Sequence, residues 1–142
     1  MADIRYEIVA NATSVPTEAV VELYRAGGWW EESPAARVII PQMISGSFCF
    51  IVAREPDGRI VGMGRAISDG VSDAYIQDVV VRRELRGRGI GAEIVRRLAA
   101  RCAEAGLGWI GLIAEPNTQE FYVPLGFAPM VGYQPMLLRK RD

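Results

Sequence analysis

Residues 79–91, Val-Val-Val-Arg-Arg-Glu-Leu-Arg-Gly-Arg-Gly-Ile-Gly, run from a β-branched strand-like stretch through a short loop into a glycine-rich turn. A long segment of helical periodicity follows. This order puts free backbone N–H groups at a helix start, where they and the helix dipole can hold a phosphate. Gly87, Gly89 and Gly91 let the backbone come close to such an anion and let successive N–H groups converge on it. Arg86 and Arg88 can add charge-assisted hydrogen bonds, each worth roughly 1.5–3 kcal/mol when well formed. Binding of a phosphorylated cofactor is the chemistry these residues suit.

Other chemistries are narrowed by what is present and what is not. The chain has no histidine, so histidine bases, histidine-assisted serine or cysteine nucleophiles and histidine metal ligands are excluded. Acid–base work falls to carboxylates, tyrosine, lysine, cysteine or water. Cys49 lies in an expected strand and Cys102 on an expected helix face. Both read as buried thiols, neither has a metal-ligand neighbour at useful spacing, and no metal is expected. A P-loop needs Gly-Lys followed by Ser or Thr, which is missing. The dinucleotide fingerprint needs G-x-G-x-x-G tight against the strand, whereas these glycines are spaced G-x-G-x-G with four residues between Val81 and Arg86.

Charge supports a local anion site. The net charge is −1, but residues 82–101 hold seven arginines against Glu84 and Glu93, leaving +5 there and −6 on the rest. A basic patch on a mildly acidic chain fits a discrete anionic ligand better than a nucleic-acid track, and the arginine segment has no aromatics for stacking bases. Arg96, Arg97 and Arg101 read as a solvated helix face. No apolar run approaches the ~20 residues needed to span a bilayer, and the first residues lack a signal-peptide core. The expectation is one domain over residues 1–142, located in the cytoplasm, with neither membrane nor nucleic-acid partner.

The elements that must position these residues follow from periodicity and punctuation. Strands are expected at 4–10, 48–54, 60–67, 74–81 and 109–114. Helices are expected from Pro16 through Arg25, from Ser33-Pro34 through Ile44 despite Pro41, and from Ile90 to Ala105. In the last of these Ile90, Ile94, Val95, Leu98 and Cys102 form the apolar face and Gly106 the stop. Asn117 is expected to cap a short helix with Glu120 as capping-box partner, and Gly126 to end it. Short extended segments are expected from Phe127 and over 135–139. The order predicts an α/β (α+β) layer fold around one sheet.

Arg86-x-x-Gly89-x-Gly91 after the hydrophobic strand resembles the acetyl-CoA pyrophosphate loop of the GNAT family of N-acetyltransferases. Downstream, Asn117, then Phe121-Tyr122, then Gly126-Phe127 is similar to that family's second signature. Together the two cover residues 74–127. The resemblance implies a central mixed, mostly antiparallel sheet with helices on both faces and a splayed parallel strand pair, 74–81 beside 109–114, with a bulge in the first. It implies acetyl-CoA as acyl donor, its diphosphate on Arg86, Gly87, Arg88, Gly89, Ile90 and Gly91. The pantetheine arm would pair with the backbone of Val79, Val80 and Val81, and the Val79 N–H would polarise the acetyl carbonyl. Asn117 would contact the arm or cap its helix, and Tyr122 would be the general acid at the CoA sulfur or a core aromatic.

The strand around Asp78 is similar to that of the glucosamine-phosphate acetyltransferase branch, where an acidic pair precedes the hydrophobics, but Gln77 stands at the first acid. Asp78 would orient or deprotonate the amine, or be structural; Glu115 is a second candidate. Trp29 and Trp30 would form an aromatic wall at the acceptor site or anchor a loop. The implied function is direct acetyl transfer from acetyl-CoA to a primary amine of a small molecule. The alternatives are a non-catalytic acyl-CoA-binding or sensing module and a protein or peptide N-acetyltransferase. Exposed edge strands and the apolar Met136-Leu137-Leu138 allow a homodimer.

Overall fold

Hydrophobic alternation and β-branched runs build five strands: β1 (Arg5–Ile8), β2 (Cys49–Arg54), β3 (Ile60–Ser68), β4 (Asp73–Val81) and β5 (Trp109–Leu112). They form one sheet in the order β1-β2-β3-β4-β5, antiparallel except for the parallel β4–β5 pair. The helices are α1 (Thr17–Gly27), α2 (Ala36–Gly46), α3 (Ile90–Glu104) and the single turn α4 (Gln119–Tyr122). The structure, a computed structural model, describes residues 3–139. The chain divides after Leu112 into two compact units, the sheet and α1–α3 in the first and α4 in the second. Among the described residues no helix is long and apolar enough to cross a membrane.

Successive strand residues point to opposite faces, so the sheet has two cores. On one face Phe50, Val52, Met63 and Val80 are buried against Val20, Val21 and Leu23 of α1 and Ile40 and Ile44 of α2. On the other lies α3, which buries Ile90, Ile94, Val95, Leu98 and Cys102, the face its periodicity predicts. Gly62 and Gly64 of β3 point at this helix. A Cβ on Gly64 would stand 2.7 Å from Ile94 Cγ2 and 3.0 Å from Leu98 Cδ1, and one on Gly62 would stand 3.1 Å from Ile94 Cδ1. The two glycines thus let α3 settle against β3 backbone.

The expected bulge is present. Met63 faces Val80 and Arg65 faces Gln77, so Gly64 alone opposes both Asp78 and Val79. Asp78 adopts a left-handed φ of 56° inside β4. The parallel pairing of β4 with β5 runs only from Asp73 to Ile76 and from Trp109 to Leu112. Among the described residues, 77–81 therefore pair with β3 on one edge and with no strand on the other.

Several expectations are corrected. β1 and β5 are shorter than their apolar runs, and α2 starts at Ala36 after a turn at Pro34-Ala35. Asn117 does not cap α4: it sits at φ 65°, and Thr118 takes the N-cap position without a side-chain cap bond. The Thr118 hydroxyl instead donates to the Glu115 carbonyl at 2.6 Å. Asparagine tolerates the left-handed region that closes this turn, and this outcompetes capping. No strand forms among the described residues after Phe127. Pro129 and Pro135 remove ladder donors, and Met136, Leu137 and Leu138 stay fully solvated.

Both cysteines are free and buried, as expected. Burial first, and the neighbouring Cys102 second, push the Cys49 thiol up to about 11, with Arg101 opposing. A pKa raised on folding stabilises the protein fully below the unfolded thiol's value near 9.0, and that contribution is lost as pH rises through about 11. Urea-denaturation midpoints taken across this window should fall more steeply for the wild type than for Cys49→Ala; parallel slopes would contradict the shift. Gly64→Val should cost roughly 1–3 kcal/mol by forcing Ile94 and Leu98 from their rotamers, read as a drop in the same midpoint at neutral pH.

Candidate functional site

The β4–α3 connection is held at both ends before it opens. The Arg82 N–H makes a 2.8 Å bond to the Val61 carbonyl, Arg83–Leu85 form one 3-10 turn, and Leu85 anchors it as a buried side chain. Gly87 and Gly89 then take left-handed φ values of 79° and 83°. A Cβ on either would meet nothing within 4 Å, so backbone conformation is what requires glycine. Helix α3 begins without a side-chain cap, its Glu93 N–H bonding the Gly89 carbonyl at 3.0 Å. The N–H groups of Gly87, Gly89, Ile90, Gly91 and Ala92 have no hydrogen-bond acceptor among the described residues. Orphan donors at the positive end of a fifteen-residue helix have the chemistry that suits an anion.

The arginines divide their labour. Arg86 donates through Nε to the Val81 carbonyl at 3.1 Å and through Nη2 to the Ala26 carbonyl at 2.9 Å. Arg82 donates through Nε to the Ile60 carbonyl at 3.0 Å and pairs with Glu22. Both thus tie the loop to α1, and Arg86 meets a carbonyl in that helix's last turn. Arg86 thus fixes the position of the glycine turn, a structural role not foreseen from its spacing. Arg88 is exposed beside the orphan amides.

On the α1 face of the bulge the structure brings together Asp78, Trp29 and Trp30 through a residue that sequence reading missed, Tyr24. The Tyr24 hydroxyl donates to Asp78 Oδ2 at 2.8 Å, and Arg65 Nε donates to the same oxygen at 2.7 Å. Burial first, then the Asp78 charge, raise the Tyr24 hydroxyl well above its ordinary value, so it stays a donor. Its ring meets Trp29 edge-on at 5.9 Å and stacks on Trp30 at 6.4 Å. Gly27 makes this possible, because a Cβ there would lie 2.9 Å from the Trp29 ring. The buried Trp30 Nε1 has no acceptor among the described residues. Arg65 also reaches Gln77 Oε1 at 3.4 Å and Ser47 Oγ at 3.5 Å. The one sequence signal for Tyr24 was its place four residues after Val20 on the buried stripe of α1.

Glu115, Asn117 and Tyr122 belong to the second unit. There Tyr122 is half-buried, its ring edge-on to Phe121 at 4.8 Å and to Phe127 at 6.0 Å. Burial first, and the Glu115 carboxylate second, raise its hydroxyl above the ordinary tyrosine value. The group keeps its proton throughout the physiological range.

Comparisons with known proteins give the family and the fold. The model of the "Acetyltransferase (GNAT) family" matches residues 8–127. An "Uncharacterized N-acetyltransferase ycf52" of Pyropia yezoensis is 31% identical over 99 residues, covering 69% of this chain and 57% of its own. "Serotonin N-acetyltransferase 2, chloroplastic" of Oryza sativa subsp. japonica is 44% identical over 71 residues, covering 50% of this chain and 36% of its own. The chain therefore spans about half or less of the length of these curated relatives. The crystal structure of a putative acetyltransferase from Deinococcus radiodurans R1 superposes with a TM-score of 0.74 at 26% identity, over 98% of this chain and 90% of that one.

Since Gly87 and Gly89 are required by backbone angle, Gly87→Ala and Gly89→Ala should each cost about 1–2 kcal/mol of stability and re-aim the amides. Calorimetry with coenzyme A should show affinity reduced at least about tenfold in both variants. Gly58→Ala, at a turn with φ 93°, carries the same backbone cost and should leave affinity unchanged. Equal affinities across all three would remove the glycine turn from the site.

Proposed function

Because the chain belongs to the acetyltransferase (GNAT) family, we propose that it transfers the acetyl group of acetyl-CoA directly to a primary amine of a small molecule. The observation that carries this reading is the set of unbonded N–H groups from Gly87 to Ala92, beside the open edge of β4 at 77–81. In it, Gly87, Gly89, Ile90 and Gly91 with Arg86 and Arg88 hold the CoA diphosphate. Val79, Val80 and Val81 offer a strand edge to the pantetheine arm, and the Val81 carbonyl keeps one lone pair beyond the one bonded to Arg86. Asn117 contacts the arm.

The amine lone pair forms the C–N bond as the carbonyl π electrons move onto oxygen, where the Val79 N–H stabilises the negative charge. Collapse of this intermediate breaks the C–S bond, and Tyr122 gives its proton to the departing sulfur. The proton lost by the amine leaves through water, with Glu115 as a candidate acceptor. A tyrosine kept protonated by burial suits the acid role. Trp29 and Trp30 favour a flat acceptor, and the serotonin-acetylating relative makes arylalkylamines the first class to screen.

Mixing the protein with acetyl-CoA and a panel of amines should release free CoA thiol. Tyr122→Phe should lower kcat by about 10²-fold with little change in the KM for acetyl-CoA. The raised Tyr122 hydroxyl also predicts that any alkaline loss of kcat due to this residue sets in at higher pH than for an ordinary tyrosine. Tight cofactor binding with no thiol released by any amine would instead establish a binding module.

A further inference from the structure

Asp78 holds a left-handed backbone in the middle of a strand, a conformation uncommon for a residue other than glycine, and its surroundings help to fix it. Those surroundings are specific. One carboxylate oxygen, Oδ2, accepts from Arg65 Nε at 2.7 Å on β3 and from the Tyr24 hydroxyl at 2.8 Å on α1. The pair is largely withdrawn from water, with side-chain exposures of 15% for Arg65 and 23% for Asp78. Arg65 is itself braced by Gln77 and Ser47. The bulge is thereby tied to the adjacent strand and to the helix above it.

Val79 follows directly, and the bulge decides where its N–H points. Gly64, the single residue opposite, has no side chain to resist the extra residue. We propose that Tyr24 and Arg65 are positioning residues that act through the Asp78 carboxylate to lock the bulge and so aim the Val79 N–H at the acetyl carbonyl oxygen. This rests on the role given to Val79 above. It assigns Asp78 a positioning duty in place of proton abstraction, carried by its Oδ2, which accepts both donors.

The test separates geometry from turnover. Amide spectra of ¹⁵N-labelled protein without ligand are compared for wild type, Tyr24→Phe and Asp78→Asn. Tyr24→Phe removes only a hydroxyl and keeps the ring packing, so its folding is not at stake. The Val79 cross-peak should shift or broaden and its amide should exchange faster in both variants, while those of Val52 and Ile94 stay in place. In steady-state assays each variant should lose about tenfold in kcat, keep its KM for acetyl-CoA and keep the shape of its pH profile, as expected for a mis-aimed oxyanion donor. An unmoved Val79 amide in both variants would overturn the proposal. So would loss of the acidic limb of the profile in Asp78→Asn, which would mark a general base. Absence of turnover in the wild type would sink the transfer reading alone, and the spectra would still decide the clamp.

Discussion

A backbone amide needs an acceptor, and among the described residues this fold leaves a row of amides without one from the protein. The rest of the site is built around those open donors. The parallel β4–β5 pairing stops at Ile76 and Leu112, so the far half of β4 keeps an open edge. Two left-handed glycines then turn the chain so that α3 starts with bare N–H groups and no side-chain cap. Elsewhere such groups are capped, paired or left to solvent. Here they are concentrated at the positive end of one helix and along the adjoining strand, where a ligand with a diphosphate at one end and an extended amide-bearing arm would satisfy both.

Leaving donors open demands rigidity around them, because a floppy loop would find its own acceptors. Gly62 and Gly64 let α3 approach β3 closely enough to bury Ile94 and Leu98 on the sheet. Arg82 and Arg86 fasten the loop to carbonyls of Ile60, Val81 and Ala26, so their positive charge serves local structure. Gly64 serves twice: it gives α3 room and it stands opposite the bulge at Asp78-Val79. Helix placement and bulge geometry are therefore coupled through one residue without a side chain.

Much of this was legible in the sequence for physical reasons. Periodicity located all five strands and the apolar face of α3, because burial of one face is what the pattern encodes. The glycine turn was legible because few residues tolerate its angles. Contacts between distant residues were not. Tyr24 and Asp78 lie 54 residues apart, and nothing local in either segment says that a hydroxyl on α1 meets a carboxylate on β4. The same holds for Arg86, whose spacing showed a charge near the turn but not its bond to Ala26. Asn117 was misjudged because asparagine suits both a cap and a left-handed turn, and the choice depends on neighbours. The extended segments after Phe127 were misjudged because a strand needs a partner as well as apolar residues.

The most direct measurement is a crystal structure of the protein grown with coenzyme A. The account predicts diphosphate oxygens about 2.9 Å from the N–H groups of Gly87, Gly89 and Gly91, with the pantetheine arm along the open edge of β4. A diphosphate bound elsewhere, or those amides facing only water beside an ordered ligand, would contradict it.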